Sequence, residues 1–240
     1  MSGFFMHRFF SEQPLLDTVS LGDGNPLFHQ ICHVFRAKKW QKVIFFESAG
    51  PDIIYEVIDI GKKNTSLRIV ETLPLNHRKQ VPITLFQAYP NKLSTLEYLV
   101  QKNVEIGIHQ LVLFPSDHSQ MRSIPPSKLS RISSIAQEAM EQSGQNIPLV
   151  IREYKTQKEV FMSHSELTHI VGHQKWLKKP PELSGKSIWL WVGPEGGWSP
   201  QEESFFQENT MSLWSFNENI LRLETAGVVG TGILSYLFPL

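Results

Sequence analysis

The first third of the chain contains short runs of β-branched and aromatic residues separated by turn residues, a pattern that predicts β-strands. Typical turn sequences are Ala49-Gly50-Pro51-Asp52 and Gly61-Lys62-Lys63-Asn64. The predicted strands cover 4–10, 43–47, 53–60 and 66–72, and a short helix is predicted at about 27–35. Evenly spaced short strands with turns are typical of a small β-barrel.

The pattern changes after a polar segment at 73–80, so we place a domain boundary between 1–75 and 76–240. Beyond it, apolar strands alternate with amphipathic helices, which predicts a mostly parallel α/β sheet. The predicted strands are 83–89, 110–114, 149–151, 187–192 and 213–216, and the predicted helices are 93–104, 128–142, 200–208 and 224–237. The segment 154–183 is polar, and we expect it to consist of loops.

Composition narrows the function without defining it. The 23 basic and 23 acidic side chains balance, which argues against wrapping by nucleic acid but leaves room for a local basic patch. The single cysteine, Cys32, allows neither an intramolecular disulfide nor a cysteine-based zinc site, so no metal is expected. No apolar run reaches the roughly 20 residues of a membrane span. With no signal-peptide pattern either, we expect a cytoplasmic protein.

The strongest chemical signal follows the apolar strand 187–192, where the chain reads Gly193-Pro194-Glu195-Gly196-Gly197-Trp198-Ser199. Its glycines let a backbone approach a flat ligand closely. The loop lacks the Gly-Lys-Ser/Thr ending of a phosphate-binding loop, and Glu195 would repel phosphate. Ser199, Pro200 and Glu202 predict a capping box at the start of a helix. A plain strand-to-helix turn is the alternative.

A second signal lies near the end of the chain, at Asn219-Ile220-Leu221-Arg222-Leu223-Glu224-Thr225-Ala226-Gly227. It follows a predicted strand and opens a helix, where an acidic residue such as Glu224 suits the helix dipole. Small residues in this helix permit another backbone to approach closely, and tight packing is expected whatever the function.

Together these segments resemble the SPOUT (α/β-knot) superfamily, and more narrowly the family that methylates N3 of a uridine in bacterial small-subunit rRNA. That family carries the motifs Gly-Pro-Glu-Gly-Gly-Phe-Ser and Arg-Ile-Leu-Arg-x-Glu-Thr-Ala. In this chain Trp198 replaces the phenylalanine of the first motif, and Asn219 replaces the first arginine of the second. Further similarity runs along nearly the whole chain in order and spacing. Where the family has a Gly-Asp turn this chain has Trp40-Gln41, and where it has Ser-Glu-Arg-Ser, His118 replaces the arginine.

The resemblance implies a PUA-like β-barrel followed by a SPOUT α/β domain with a C-terminal deep trefoil knot. It also implies a homodimer that binds S-adenosylmethionine and small-subunit rRNA and has no membrane association. The residues that would hold the cofactor are Leu190, Gly193, Pro194, Glu195, Gly196, Gly197, Ile220, Leu221 and Leu223.

Methylation of uridine N3 requires that its proton leave and that the resulting anion be stabilised. Arg222 is the leading candidate for this catalytic role, and pairing with Glu224 or a carbonyl is the alternative. Glu105 and Gln142 are further catalytic candidates, although each could simply cap or pair on a helix face.

For RNA binding the sequence offers cations that could contact phosphates, with Phe9 or Trp40 as a ring that could stack on a base. The predicted RNA-binding residues are Arg8, His29, Arg36, Lys38 and Lys39. A solvated basic surface over a barrel core is the alternative. For the whole chain, ribose 2′-O methylation by the same fold and a non-catalytic rRNA-binding assembly factor are the alternative functions.

Overall fold

The computed structural model describes residues 6–75, 81–163, 168–174 and 187–238. The chain divides into two compact units. The first comprises Met1–His77 together with Met140–Pro148, and the second comprises Arg78–Ala139 with Leu149–Leu240. None of the helices in the described ranges is long and apolar enough to cross a bilayer.

The first unit is built on a five-stranded mixed sheet of order β1-β3-β4-β5-β2. Strand β1 runs parallel to β3, and the other pairs are antiparallel. The strands are β1 Arg8–Phe10, β2 Thr18–Gly22, β3 Lys42–Phe46, β4 Asp52–Ile60 and β5 Asn64–Thr72. Between β2 and β3 lie helix α1, Pro26–His29, and a π-helical segment, Gln30–Val34. An aromatic and aliphatic core around Phe28, Phe45 and Tyr55 packs on this sheet.

Strand β2 is absent from the sequence prediction: Thr18–Gly22 alternates polar and apolar residues, but the run is short, carries only two apolar side chains and is mostly exposed. It is an edge strand that pairs with β5 from Thr18↔Arg68 to Gly22↔Asn64. The other strands of this unit lie where the pattern predicted them, to within about two residues, for the part of the chain that the structure describes.

The second unit contains a six-stranded parallel sheet of order β11-β9-β10-β6-β7-β8, which confirms the predicted parallel α/β arrangement. Its strands are β6 Ile83–Ala88, β7 Gln110–Phe114, β8 Val150–Glu153, β9 Thr168–Gly172, β10 Ile188–Val192 and β11 Ser212–Trp214. Strands β6 and β10 are buried throughout, as expected for parallel strands in the centre of a sheet.

Five helices accompany this sheet within the described ranges: α2 Leu93–Ile106, α3 Pro126–Ser143, α4 Gln157–Met162, α5 Pro200–Glu208 and α6 Leu223–Leu237. The last residues of α3, from Met140, belong to the first unit. Helix α6 packs against α2 and against strands β6 and β10. The ring of Trp191 on β10 stacks on Phe86 of β6 and anchors the core behind the sheet.

The expectation that 154–183 consists of loops is wrong for its described residues. It contains helix α4 and strand β9, which lies between β10 and β11. Strand β9 carries a polar residue, His169, in a five-residue run, so its apolar signal is weak. His169 can nevertheless be buried, because its Nδ1 accepts a hydrogen bond from Trp191 Nε1 at 2.9 Å. The remaining residues of that prediction, 164–167 and 175–183, lie outside the described ranges.

Candidate functional site

The carboxyl ends of parallel strands share one edge of a sheet, and connections at that edge are where α/β proteins bind ligands. In the second unit this edge carries the connections that follow β6, β7, β9, β10 and β11. Both chemical signals of the sequence lie there. The first is the loop Gly193–Ser199 after β10, here called the glycine-rich loop. The second is the connection 215–222 after β11, here called the arginine connection.

The glycine-rich loop ends in the capping box that the sequence predicted. Ser199 Oγ accepts from Glu202 N at 3.2 Å, Glu202 Oε2 accepts from Ser199 N at 2.9 Å, and Pro200 begins the helix. Within the loop, Gly197 has a φ of 72°, a left-handed conformation that glycine adopts without strain. A Cβ on Gly193 would lie 3.0 Å from the Trp198 ring, so glycine is needed for this close packing.

Hydrogen bonds from neighbouring connections hold the glycine-rich loop. Glu195 Oε1 accepts from Asn91 N, after β6, at 2.9 Å. The His118 ring, after β7, donates from Nδ1 to the carbonyls of Gly196 and Gly197, at 3.2 and 3.0 Å. Ser199 Oγ donates to Asp117 Oδ2 at 2.5 Å. The loop is therefore fixed by a backbone N–H after β6 and by two side chains after β7.

The arginine connection is anchored at its start by the ring of Phe216. The ring of Phe216 packs against Gly172 and Gly230. A Cβ added to Gly172 would lie 2.9 Å from this ring, and one added to Gly230 would lie 3.0 Å from it. Trp198 of the glycine-rich loop donates from Nε1 to Gly172 O at 3.0 Å. Both connections therefore meet at Gly172, the last residue of β9. Sequence reasoning missed this meeting point, because Gly172 lies in the segment expected to be loops.

The predicted cofactor-binding residues differ in accessibility. Leu190 is fully buried, and its Cδ2 lies 2.7 Å from where a Cβ on Gly230 would stand. Pro194 and Leu223 are buried, whereas Glu195 and Gly196 are exposed. Ile220 is 75% exposed, and Leu221 is half-buried. The buried residues of this set pack inside the carboxyl edge of the sheet, and the exposed ones are accessible to a ligand there.

Gln87, near the end of β6, is a polar residue that sequence reasoning missed. Its side chain is fully buried, and Nε2 donates to Ala88 O and Val192 O at 3.1 and 3.3 Å. Its Oε1 has no hydrogen-bond partner within the described residues and lies 3.1 Å from where a Cβ on Gly227 would stand. An unsatisfied buried acceptor costs about 1–3 kcal/mol, so it is rarely left without a reason. The signal for it is one amide in a strand that is otherwise apolar except for Thr84.

Arg222 lines an open cleft of about 390 Å³ at the start of α6. The cleft is lined by Ser94, Thr95, Tyr98, Arg222, Glu224 and Thr225. Arg222 is exposed, and no ion pair joins it to Glu224 in the described part of the chain. Hydroxyl groups from α2 face the same space as the guanidinium. Those α2 residues were not predicted, since only the packing of α2 on α6 brings them there.

The other catalytic candidates lie apart from this cleft. Glu105 pairs with Lys102 at 2.8 Å near the end of α2. It lies about 16 Å along the helix axis from Ser94 at a rise of 1.5 Å per residue. Gln142 is exposed near the end of α3 and belongs to the first unit. Within one chain, the structure therefore does not bring Glu105 to Arg222.

Among the predicted RNA-binding residues, Arg8 has an internal structural role. Its guanidinium forms an ion pair with Asp52 at 2.8 Å, and it also donates to Met140 O, Glu141 O and Asn146 Oδ1. These bonds use its five N–H groups, and its side chain is only 9% exposed. Arg8 therefore holds 140–146 to the sheet of the first unit. His29, Arg36, Lys38 and Lys39 are exposed, while Phe9 is buried in the core.

The second unit is a parallel α/β domain with a glycine-rich connection at the carboxyl edge of its sheet. The family model described as RNA methyltransferase domain matches residues 77–235. The chain therefore belongs to the RNA methyltransferase family.

Relatives and a solved structure are similar over nearly the whole chain. "Ribosomal RNA small subunit methyltransferase E" of Aquifex aeolicus is 29% identical, covering 95% of this chain and 99% of the relative. The Bacillus subtilis protein of the same name is 24% identical, with 96% of each covered. The crystal structure of a ribosomal RNA small subunit methyltransferase E from Neisseria gonorrhoeae, bound to S-adenosyl methionine, is 26% identical. Its TM-score is 0.82, with 97% of this chain and 98% of that chain covered.

Proposed function

We propose that the chain transfers a methyl group from S-adenosylmethionine to N3 of a uridine in small-subunit rRNA. One observation carries the proposal: the glycine-rich loop and the arginine connection meet at Gly172. The family that the sequence resembles holds its methyl donor between these same two segments. The names of the Aquifex and Bacillus relatives and the cofactor in the Neisseria structure support the same reaction class.

The residues at this edge fit an extended organic cofactor held largely by backbone atoms. The exposed backbone of Glu195 and Gly196 and the open space beside Gly197 leave room for one. Gln87 Nε2 donates to Val192 O just before the loop, and its buried Oε1, which has no partner in the described residues, lies beside Gly227 of α6. Bound there, S-adenosylmethionine supplies an electrophilic methyl group on its sulfonium. The residues assigned to hold it are Leu190, Gly193, Pro194, Glu195, Gly196, Gly197, Ile220, Leu221 and Leu223.

The cleft beside Arg222 supplies what the acceptor base needs. Uridine N3 carries a proton and lies on the Watson–Crick edge, so the base has to be unpaired to enter the cleft. When the N3–H bond breaks, its proton passes to bulk water through the open cleft, and the guanidinium of Arg222 stabilises the anion left over N3 and its flanking carbonyls. The hydroxyls of Ser94, Thr95 and Tyr98 line the same cleft and can orient the base by hydrogen bonding.

The proposal also includes the domain types, the knot and the homodimer of the family that the sequence resembles. We assign 1–75 as a PUA-like RNA-binding barrel, supported by the curled mixed sheet and the exposed cations Arg36, Lys38 and Lys39. We assign 76–240 as a SPOUT domain with a trefoil knot. The active enzyme is a homodimer in the cytoplasm, where a partner subunit could complete the site with Glu105 or Gln142. The exposed Tyr236 at the end of α6 is suited to such an interface.

Two measurements test the proposal in sequence. Titration calorimetry of the purified chain should give binding of S-adenosylmethionine, and no binding would leave the assembly-factor alternative. Nucleoside mass spectrometry of small-subunit rRNA from a deletion strain should then show loss of 3-methyluridine, restored by the gene. Loss of a 2′-O-methyl nucleoside instead would support ribose methylation, and an unchanged 3-methyluridine level would remove the N3 assignment.

A further inference from the structure

Trp40 has an unusual position in the first unit. It lies in the turn 38–41, where Gln41 N donates to Lys38 O and Lys38 N donates to Gln41 Oε1, both at 3.0 Å. Trp40 N donates to Val57 O at 2.7 Å, which ties the turn to β4. These bonds hold Trp40 at a φ of 71°, in the left-handed region, with its side chain 61% exposed.

Stability gives no reason for a tryptophan at this position. A bulky residue in the left-handed region is a genuine outlier, and glycine or asparagine would form the same turn with less strain. The exposed ring returns little burial energy for that strain. A strained residue held in place by its surroundings, with its side chain presented to solvent, indicates a role in binding.

The surroundings of the ring indicate what it binds. Lys39 Nζ lies 5.1 Å from the centroid of the Trp40 ring. Arg36, which precedes the turn, and Lys38, its first residue, are both exposed. A flat aromatic face beside several cations is complementary to a ligand that is both planar and anionic. A nucleotide in a single strand has this chemistry, because its base face is uncovered and its phosphate is close to it.

We propose that Trp40 stacks on an unpaired base of the RNA substrate while Arg36, Lys38 and Lys39 contact the flanking phosphates. This inference rests on the proposed function, and it names the single-stranded region beside the target as the part that the first unit reads. A membrane surface is the less favoured partner, because Trp40 lies in a polar turn without the apolar helical face that interfacial binding requires.

The test compares variants of the full-length chain for binding to a labelled single-stranded RNA oligonucleotide by fluorescence anisotropy. Trp40→Gly should weaken binding about 5- to 100-fold, the range for loss of one stacked base. Trp40→Phe should stay within about 3-fold of the wild type, because a ring remains. An RNA duplex of the same length should bind both variants and the wild type alike.

Ala49→Gly is the matched control, since Ala49 also has a positive φ, 56°, and is exposed in the first unit. It relieves the same kind of strain without removing a ring, so RNA affinity should not change. Neither glycine variant should lower the melting temperature. Salt dependence separates the contacts further: Trp40→Gly should leave the slope of log K against log salt unchanged, whereas Lys39→Ala should reduce it by about 0.7.

Each adverse outcome has a distinct meaning. Equal RNA affinity of Trp40→Gly and the wild type would overturn the stacking role, and so would an equally weakened Trp40→Phe. Wild-type binding to anionic phosphatidylserine vesicles but not to RNA would assign the turn to a membrane. Failure of the proposed function is separate, because a chain that binds no S-adenosylmethionine fails the calorimetry whatever its RNA affinity.

Discussion

The glycine-rich loop and the arginine connection leave the strands on either side of β9, but they are held differently. The first receives hydrogen bonds from Asn91 and His118 and is fixed to its own helix by a capping box. The second is anchored by Phe216 and by buried Leu223, and its hydrogen bonds include local ones around Asn217. Its residues from Asn217 to Ile220 are exposed.

The difference suggests a division of work under the proposed function. A loop whose carbonyls and amides are already positioned loses little entropy when it binds a ligand, so the glycine-rich loop suits cofactor affinity. A connection anchored at its two ends can adjust when a base enters, so the arginine connection suits the chemical step. Changes to the first should therefore alter cofactor binding, and changes to the second should alter rate.

The largest effect is expected from Arg222→Ala. Under the proposed function this removes the group that stabilises the developing anion, so kcat should fall by about 10²- to 10³-fold. The affinity for S-adenosylmethionine, measured by calorimetry, should change less than about 3-fold. Arg131→Ala is the control, because Arg131 is an exposed arginine of the same unit that pairs with Glu97. If Arg222→Ala lowers the rate and the cofactor affinity equally, the proposed division between a cofactor-binding loop and a rate-determining connection is wrong.

Next in size is a pair of substitutions in α6. A Cβ on Gly230 would lie 2.7 Å from Leu190 Cδ2 and 3.0 Å from the Phe216 ring, whereas one on Gly232 meets nothing within 4 Å. Gly230→Ala should therefore lower the free energy of unfolding by about 1–3 kcal/mol. Gly232→Ala should raise it by up to about 1 kcal/mol, through helix propensity. Urea unfolding at constant m measures both changes.

The Phe216→Ala variant sharpens this test. If the strain in Gly230→Ala falls on the Phe216 ring, the double substitution should destabilise less than the sum of the two single ones. Additive effects would mean that Leu190 alone takes up the extra methyl group. In that case the anchor of the arginine connection would be independent of the helix that follows it.

The sequence correctly predicts those helices and strands whose formation depends on interactions between residues close together in the chain. Helix α5 begins where Ser199, Pro200 and Glu202 predict, because a capping box is complete within four residues. The prediction of strand 110–114 is also correct, since four buried residues inside a sheet form a continuous apolar run after the partly buried Gln110.

Contacts between distant residues account for what the sequence could not predict. In strand β9 the buried His169 accepts a hydrogen bond from Trp191, which is 22 residues away. From the sequence, Arg8 is a cation that could bind RNA. Its structural role comes from acceptors on Asp52 and in 140–146, which are far away along the chain. The cleft of Arg222 needs hydroxyls from α2, and no local pattern links the two helices. Gly172, where both connections meet, lay inside the segment that the pattern assigned to loops.

The smallest effect is expected at His118, where the resembling family has arginine. His118→Ala removes the donor shared by the carbonyls of Gly196 and Gly197. One hydrogen bond contributes about 0.5–1.5 kcal/mol, so calorimetry should show an affinity for S-adenosylmethionine lower by about 2- to 10-fold. The kcat at saturating cofactor should remain within about 2-fold, because Arg222 is untouched.

His118→Asn distinguishes positioning from packing at the same site. The asparagine amide places an N–H close to where Nδ1 lies, so it should restore most of the affinity, while His118→Leu keeps bulk and should not. If leucine restores binding as well as asparagine does, the ring acts by filling space against Gly196, where a Cβ would lie 2.9 Å from His118 Cβ. If all three variants bind like the wild type, the glycine-rich loop is held by Glu195 and Asp117 without His118. The His118 hydrogen bonds would then contribute nothing to holding the glycine-rich loop more firmly than the arginine connection.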